Sequence, residues 1–285
     1  MAGSQSHTMA GPRSVTGLRD GGLAIVGALL LASALAWLAT AARMAGMDAG
    51  PGTDPGTPSF YMSTWVVMMA AMMLPSVAPA LLAYRGRRAG QLPPATRARL
   101  AAPAAPALYV VGYLAVWAAC GLVGYAVLKG GHALDGGFFA WRHGGRWVAA
   151  GVLALAAAYE LTPAKRACLA RCRGARPRRP GGARDGHFGS LRAGVLQGGW
   201  CLGCCSLLMA GLFALGAMSL LWMVLVALLI AAQKLLPWPT AASVASAAVL
   251  AALALGFLLA PAQVPGLTVP HGGGMGAMSM PAMRG

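Results

Sequence analysis

Three cysteines fall within five residues, at Cys201, Cys204 and Cys205. On a helix the spacing i, i+3, i+4 puts all three on one face, and Met209, four residues further on, extends that face. Three thiols and a thioether form a soft donor set that suits Cu(I), while thiolate sites also take zinc. One cysteine alone is an ordinary small apolar residue; three on a single face call for a ligand. A second soft group is Met68, Met69, Met72 and Met73, two adjacent i, i+4 pairs, followed by Pro75. Proline has no N–H to donate, so a carbonyl beside the stripe is freed. Methionine is also an adaptable packing residue, and the stripe taken alone reads equally well as a helix seam. A third group is Cys168 and Cys172, again i, i+4, among Lys165, Arg166 and Arg171. Basic neighbours favour the thiolate, so this pair reads as a two-thiol metal site or a regulatory redox pair. Lastly, His271, Met275, Met278, Met280 and Met283 lie in a glycine-rich tail that would suit low-affinity copper capture. Cys120 stands alone and reads as packing.

The elements that must position these groups are legible in the composition. Hydrophobic residues make up 58% of the 285 and charged residues 10%, against about 25% charged in soluble domains. A water-facing surface cannot be built from so few charges. A net charge of +16 would ordinarily point to nucleic acid, but the basic residues sit in short blocks between apolar runs, where they read as topology signals. Nucleic acid is therefore excluded as a partner, and the lipid bilayer takes its place.

A membrane helix needs about 20 apolar residues. The chain provides such runs at 23–42, 60–84, 107–128, 147–161, 194–236 and 241–260. The run 194–236 is too long for one helix and has a natural break at 216–219, which makes about seven spans. Lipid cannot satisfy backbone groups, and the runs lack the alternation of a barrel, so the expected fold is an all-α polytopic helical bundle. Counting Lys and Arg on alternate sides gives 17 against five. That bias predicts a cytoplasmic N-terminal segment at 1–22 and a transmembrane domain at 23–260. Basic cytoplasmic loops follow at 85–106 and 163–193, and an external tail at 261–285. Ala39-Thr40-Ala41 resembles a signal-peptidase site, but its apolar run is longer than a usual signal peptide and reads as an uncleaved anchor. On this topology the soft groups form an ordered path from the tail through the methionine stripe and the Cys201 cluster to Cys168/Cys172, provided the second and fifth spans are neighbours.

Catalysis finds no support. No P-loop, HExxH, Ser-His-Asp or paired-carboxylate arrangement occurs, and no internal repeat marks a two-halved transporter. Glu160 sits near the inner boundary beside Thr162-Pro163 and Lys165, where snorkelling or a salt link is expected ahead of a proton relay. His132 and His143 read as ordinary loop histidines.

Three blocks carry a family resemblance. The first runs from Trp65 to Met72-Met73-Leu74-Pro75-Ser76. The second is Tyr159, Leu161-Thr162-Pro163 and Lys165 leading to Cys168-Leu169 and Cys172-Arg173. The third runs from Gly198 to Met209 and on through Phe213, Gly216, Met218, Trp222-Met223 and Lys234-Leu235. Together they resemble the bacterial family of predicted metal-binding integral membrane proteins, also described as copper chaperones. The pattern often has Trp where this chain has Ser206, an amide where Glu160 stands, and Glu where Gln233 stands. The resemblance implies metal binding, with copper the expected ion, in a multi-pass protein of the bacterial inner membrane.

The leading expectation is a non-enzymatic Cu(I)-binding membrane protein that moves copper or hands it to a copper-accepting protein. Cys201, Cys204, Cys205 and Met209 would be its central site, with Met68, Met69, Met72 and Met73 beside it. One alternative is a thiol–disulfide conduit through Cys201/Cys204 and Cys168/Cys172. The other is a structural assembly subunit whose soft residues only pack.

Overall fold

The computed structural model describes residues 12–45, 57–91, 104–134, 146–174, 186–215 and 219–259. Among these residues are eight helices and no strand: α1 (Pro12–Met44), α2 (Pro58–Gln91), α3 (Ala104–Leu134), α4 (Arg146–Glu160), α5 (Pro163–Cys172), α6 (Gly186–Leu215), α7 (Leu220–Leu235) and α8 (Pro239–Leu259). Five are long and apolar enough to cross a membrane, and α4 with α5 forms a sixth if that bent pair is one span. The second half of the run 194–236 forms α7, an apolar helix of 16 residues that falls short of these spans, so five or six helices stand where about seven spans were expected. The long run at 194–236 divides where expected, α6 ending at Leu215 and α7 beginning at Leu220. The histidine and methionine tail, His143, and the turn at 216–218 lie outside the described residues, as do residues 1–11 of the N-terminal segment.

Helix α2 is the spine of the bundle, packed against α1, α3 and α7. Its 34 residues reach about 51 Å at 1.5 Å per residue, longer than the hydrocarbon layer. The helix runs on to Gln91, so the first part of the expected loop 85–106 continues the span instead of leaving it. Pro75 and Pro79 lie inside it. Pro75 deprives the Ala71 carbonyl of its i+4 donor, and Ser33 of α1 supplies the replacement at 2.6 Å. The break in the ladder is thereby satisfied from the neighbouring helix, as a low-dielectric surrounding demands.

The most extensive helix pair is α3 with α6. Its closeness depends on two glycines. A Cβ at Gly112 would lie 2.3 Å from the Leu191 carbonyl oxygen, and one at Gly194 would lie 2.0 Å from that of Tyr109. Each is shorter than any real contact, so the two backbones meet where no other side chain fits.

The expected loop 163–193 is helical at both ends. After α4 the chain turns by 71°. Thr162 caps the new helix by accepting from the Lys165 N–H at 3.2 Å, and Pro163 takes the first helical position, where its missing N–H costs nothing. Helix α5 then folds back against α6. Two residues counted as solvated topology signals are buried instead: Lys165 and Lys234. Lys165 lies 2.6 Å from Glu160, so of the two expectations there it is the salt link that forms.

Candidate metal centre

The centre is built where α2, α3, α5, α6 and α7 converge. From α6, Cys201, Cys204 and Cys205 point into the bundle, none more than 1% exposed. Their shared face is the one the spacing predicts. Cys204 and Cys205 sulfurs are 3.4 Å apart, and the Cys204 thiol donates to the Cys201 carbonyl at 3.3 Å.

The fourth thiol is Cys172, at the end of the folded-back α5. Its sulfur and those of Cys201 and Cys204 all lie within 4.8 Å of one another. Metal–sulfur bonds of about 2.3 Å give sulfur–sulfur edges of about 4.0 Å in a trigonal site and about 4.6 Å in a linear one. The three sulfurs therefore enclose a space that a soft ion can fill with small adjustments. Cys172 does not form a two-thiol site apart from the Cys201 cluster: the 71° turn carries it into that cluster. Gln197 holds it there, donating to the Cys172 carbonyl at 2.6 Å. Cys168 stays half-buried on α5, its sulfur 3.2 Å from where a Cβ on Gly203 would stand. Gly203 in the middle of the cysteine motif thus leaves room for the neighbouring helix.

Met73 is the member of the methionine stripe that reaches the cluster, its sulfur 4.0 Å from that of Cys201. The second and fifth runs are therefore neighbours at this level. Met68, Met69 and Met72 are buried in the same core, with Met209 and with aromatic residues that include Trp65. The rings of Trp65 and Phe213 stack across α2 and α6 at 5.4 Å, and Trp65 Nε1 donates to the Trp117 carbonyl at 2.7 Å.

Sequence reasoning missed three polar groups that complete the centre. Tyr113 of α3 places its hydroxyl 3.0 Å from the Cys201 sulfur. Lys234 of α7 places Nζ 2.9 Å from the same sulfur, 3.2 Å from Ser76 Oγ and 3.9 Å from the Met73 sulfur. Ser76 in turn donates to the Met73 carbonyl at 2.8 Å, which leaves its oxygen free to accept from the lysine. The available signal was the cation itself: a lysine closing an apolar run is a functional candidate before it is a topology marker.

A second polar network supports the first. Glu160 accepts from Lys165 at 2.6 Å and from Gln233 at 2.9 Å, and Gln233 also donates to Ser246 at 2.8 Å. Glu160 and Gln233 thus place a carboxylate and an amide within one hydrogen-bonded pair. Arg173 ties the end of α7 to the end of α5, donating to the Gln233 and Leu236 carbonyls at 2.6 and 2.7 Å.

An all-helical bundle with a buried thiol cluster between its helices defines a membrane-type metal-binding protein. Residues 62–257, more than two thirds of the chain, match the copper chaperone family PpoB2, and the chain belongs to that family. No curated protein and no solved structure matches it.

Proposed function

We propose that this protein takes Cu(I) into the sulfur site inside its helical bundle and passes it to a copper-accepting protein, without catalysing a reaction. The observation that carries this reading is the meeting of Cys172, Cys201 and Cys204 from two helices, all three sulfurs within 4.8 Å. Thiolate ligands in a dry enclosure favour a soft monovalent ion, and the Met73 thioether beside them adds a donor that harder ions use poorly. The charge count of 17 basic residues against five supports a cytoplasmic N-terminus and residence in the bacterial inner membrane.

The burial of the cluster weighs against a thiol–disulfide conduit. Exchange needs a thiolate that another disulfide can reach, and Cys201, Cys204 and Cys205 are enclosed.

The deciding experiment is Cu(I) stoichiometry on the purified protein in detergent under reducing conditions, with a competing Cu(I) chelator. Wild type retains Cu(I) and the Cys172/Cys201/Cys204→Ser variant loses it. Equal retention by both overturns the assignment of the site.

A further inference from the structure

The side chain of Lys234 is buried in the middle of the metal centre with no carboxylate beside it. Glu160, the one carboxylate among the described side chains, is occupied by Lys165 and Gln233. The three contacts of Lys234 Nζ are all acceptors: the Cys201 sulfur, Ser76 Oγ and the Met73 sulfur. An ammonium has three hydrogens to donate and no capacity to accept, so this set accounts for each of them. A buried cation has to be paired with negative charge. Here the group that can supply it is the sulfur cluster, through Cys201 at 2.9 Å.

Position adds a second constraint. Cys201 and Met73 sulfurs are 4.0 Å apart, the edge of a trigonal site with metal–sulfur bonds of about 2.3 Å. Lys234 Nζ lies within 3.9 Å of both. The ammonium thus borders the space where an ion sharing those two donors would sit. Ser76 gives it a third, oxygen partner to which it can shift without leaving the enclosure.

We propose that Lys234 is the built-in countercation of the sulfur site: its ammonium neutralises the thiolate charge, and an arriving Cu(I) displaces it from Cys201 toward Ser76. This rests on the reading of Cys172, Cys201 and Cys204 as the Cu(I) site. Lysine keeps its charge throughout and only its partner changes. On loading, a second of the three thiols gives up its proton to solvent and the third stays a neutral thiol; Cu(I) bound by two thiolates then carries one net negative charge, and the ammonium beside it brings the enclosure to neutrality. A site in lipid with that charge uncompensated would hold copper far more weakly.

The test is Cu(I) affinity, measured by competition with bicinchoninate, on the full-length protein in lipid nanodiscs. Variants are Lys234→Leu, Lys234→Arg, Ser76→Ala and Ser76→Thr. Lys234→Leu is expected to weaken binding by about tenfold or more, with stoichiometry unchanged, and Lys234→Arg to restore most of the affinity. Ser76→Ala weakens it by a smaller factor, and Ser76→Thr does not. Affinity in Lys234→Leu equal to or above wild type overturns the proposal, as does an equal loss in Lys234→Arg. Should Lys234→Leu fail to fold, the serine pair decides: Ser76→Ala indistinguishable from wild type overturns it. Failure of the wild type to bind Cu(I) instead overturns the site reading on which the proposal stands.

Discussion

Met73 and Cys201 are 128 positions apart in the chain and 4.0 Å apart at their sulfur atoms. All four methionines of the stripe lie in the same buried core as the cysteines, and Met73 is the one whose thioether meets the Cys201 thiol. Leucine matches methionine in volume and lacks the sulfur. Met73→Leu is expected to weaken Cu(I) binding by about tenfold, or about 1.4 kcal/mol. Met68→Leu, Met69→Leu and Met72→Leu should leave it near wild type. Chelator competition on the four single variants checks the pattern, and equal effects at all four would remove Met73 from the site.

Metal should shield some thiols and leave others open. Cys172, Cys201 and Cys204 share the enclosure, whereas Cys120 lies half-buried on α3. With Cu(I) loaded, alkylation by a small permeant reagent under mild denaturant is expected to spare the three and still label Cys120. Mass spectrometry of the labelled peptides reads this directly. Protection of Cys120 to the same degree would mean that copper stabilises the whole bundle without binding at the thiols.

The Glu160–Lys165 pair is fully enclosed. Removing one charge from such a pair costs about 3–5 kcal/mol, because the other is left buried alone. Glu160→Gln should therefore lower the thermal midpoint in detergent by several degrees. Since Gln233 already hydrogen-bonds Glu160 at 2.9 Å, adding Gln233→Glu returns a carboxylate to the same network. The double variant is expected to recover at least half of the loss. A double variant less stable than Glu160→Gln would show that the two positions are not interchangeable.

Helix α6 can hold its cysteines in place only if it stays against α3. Gly194→Ala and Gly112→Ala put a methyl into a backbone carbonyl of the facing helix, and both should abolish folded yield. Gly199→Ala, on the same α6 but facing open space, should be tolerated. Size-exclusion profiles of the three variants distinguish the cases.

What the sequence made legible was what repeats along one helix. The face shared by Cys201, Cys204 and Cys205 follows from a 3.6-residue period, and the division of the run 194–236 follows from its length. What stayed hidden was contact between helices. Cys172 joins the cluster because of the turn at Thr162-Pro163, whose angle no periodicity encodes. Lys165 looks like the arginines around it and Lys234 like any cation closing an apolar run, and the partners Glu160 and Cys201 show that they are interior charges. Met209 and Met73 are equally plausible ligands by type, and it is the bundle, not the sequence, that sets the Met73 sulfur 4.0 Å from that of Cys201.

The order of the parts along the chain has a consequence for biogenesis. The thiols of α5 and α6 enter the bilayer during synthesis before α7, which supplies Lys234, has been made. A nascent chain stopped before residue 220 holds every cysteine of the centre but not the cation that touches Cys201. With Lys234 as counterion, the charge balance of the cluster is completed late, by the next-to-last helix described, and Cu(I) loading is expected to become favourable only once nearly the whole bundle has been made.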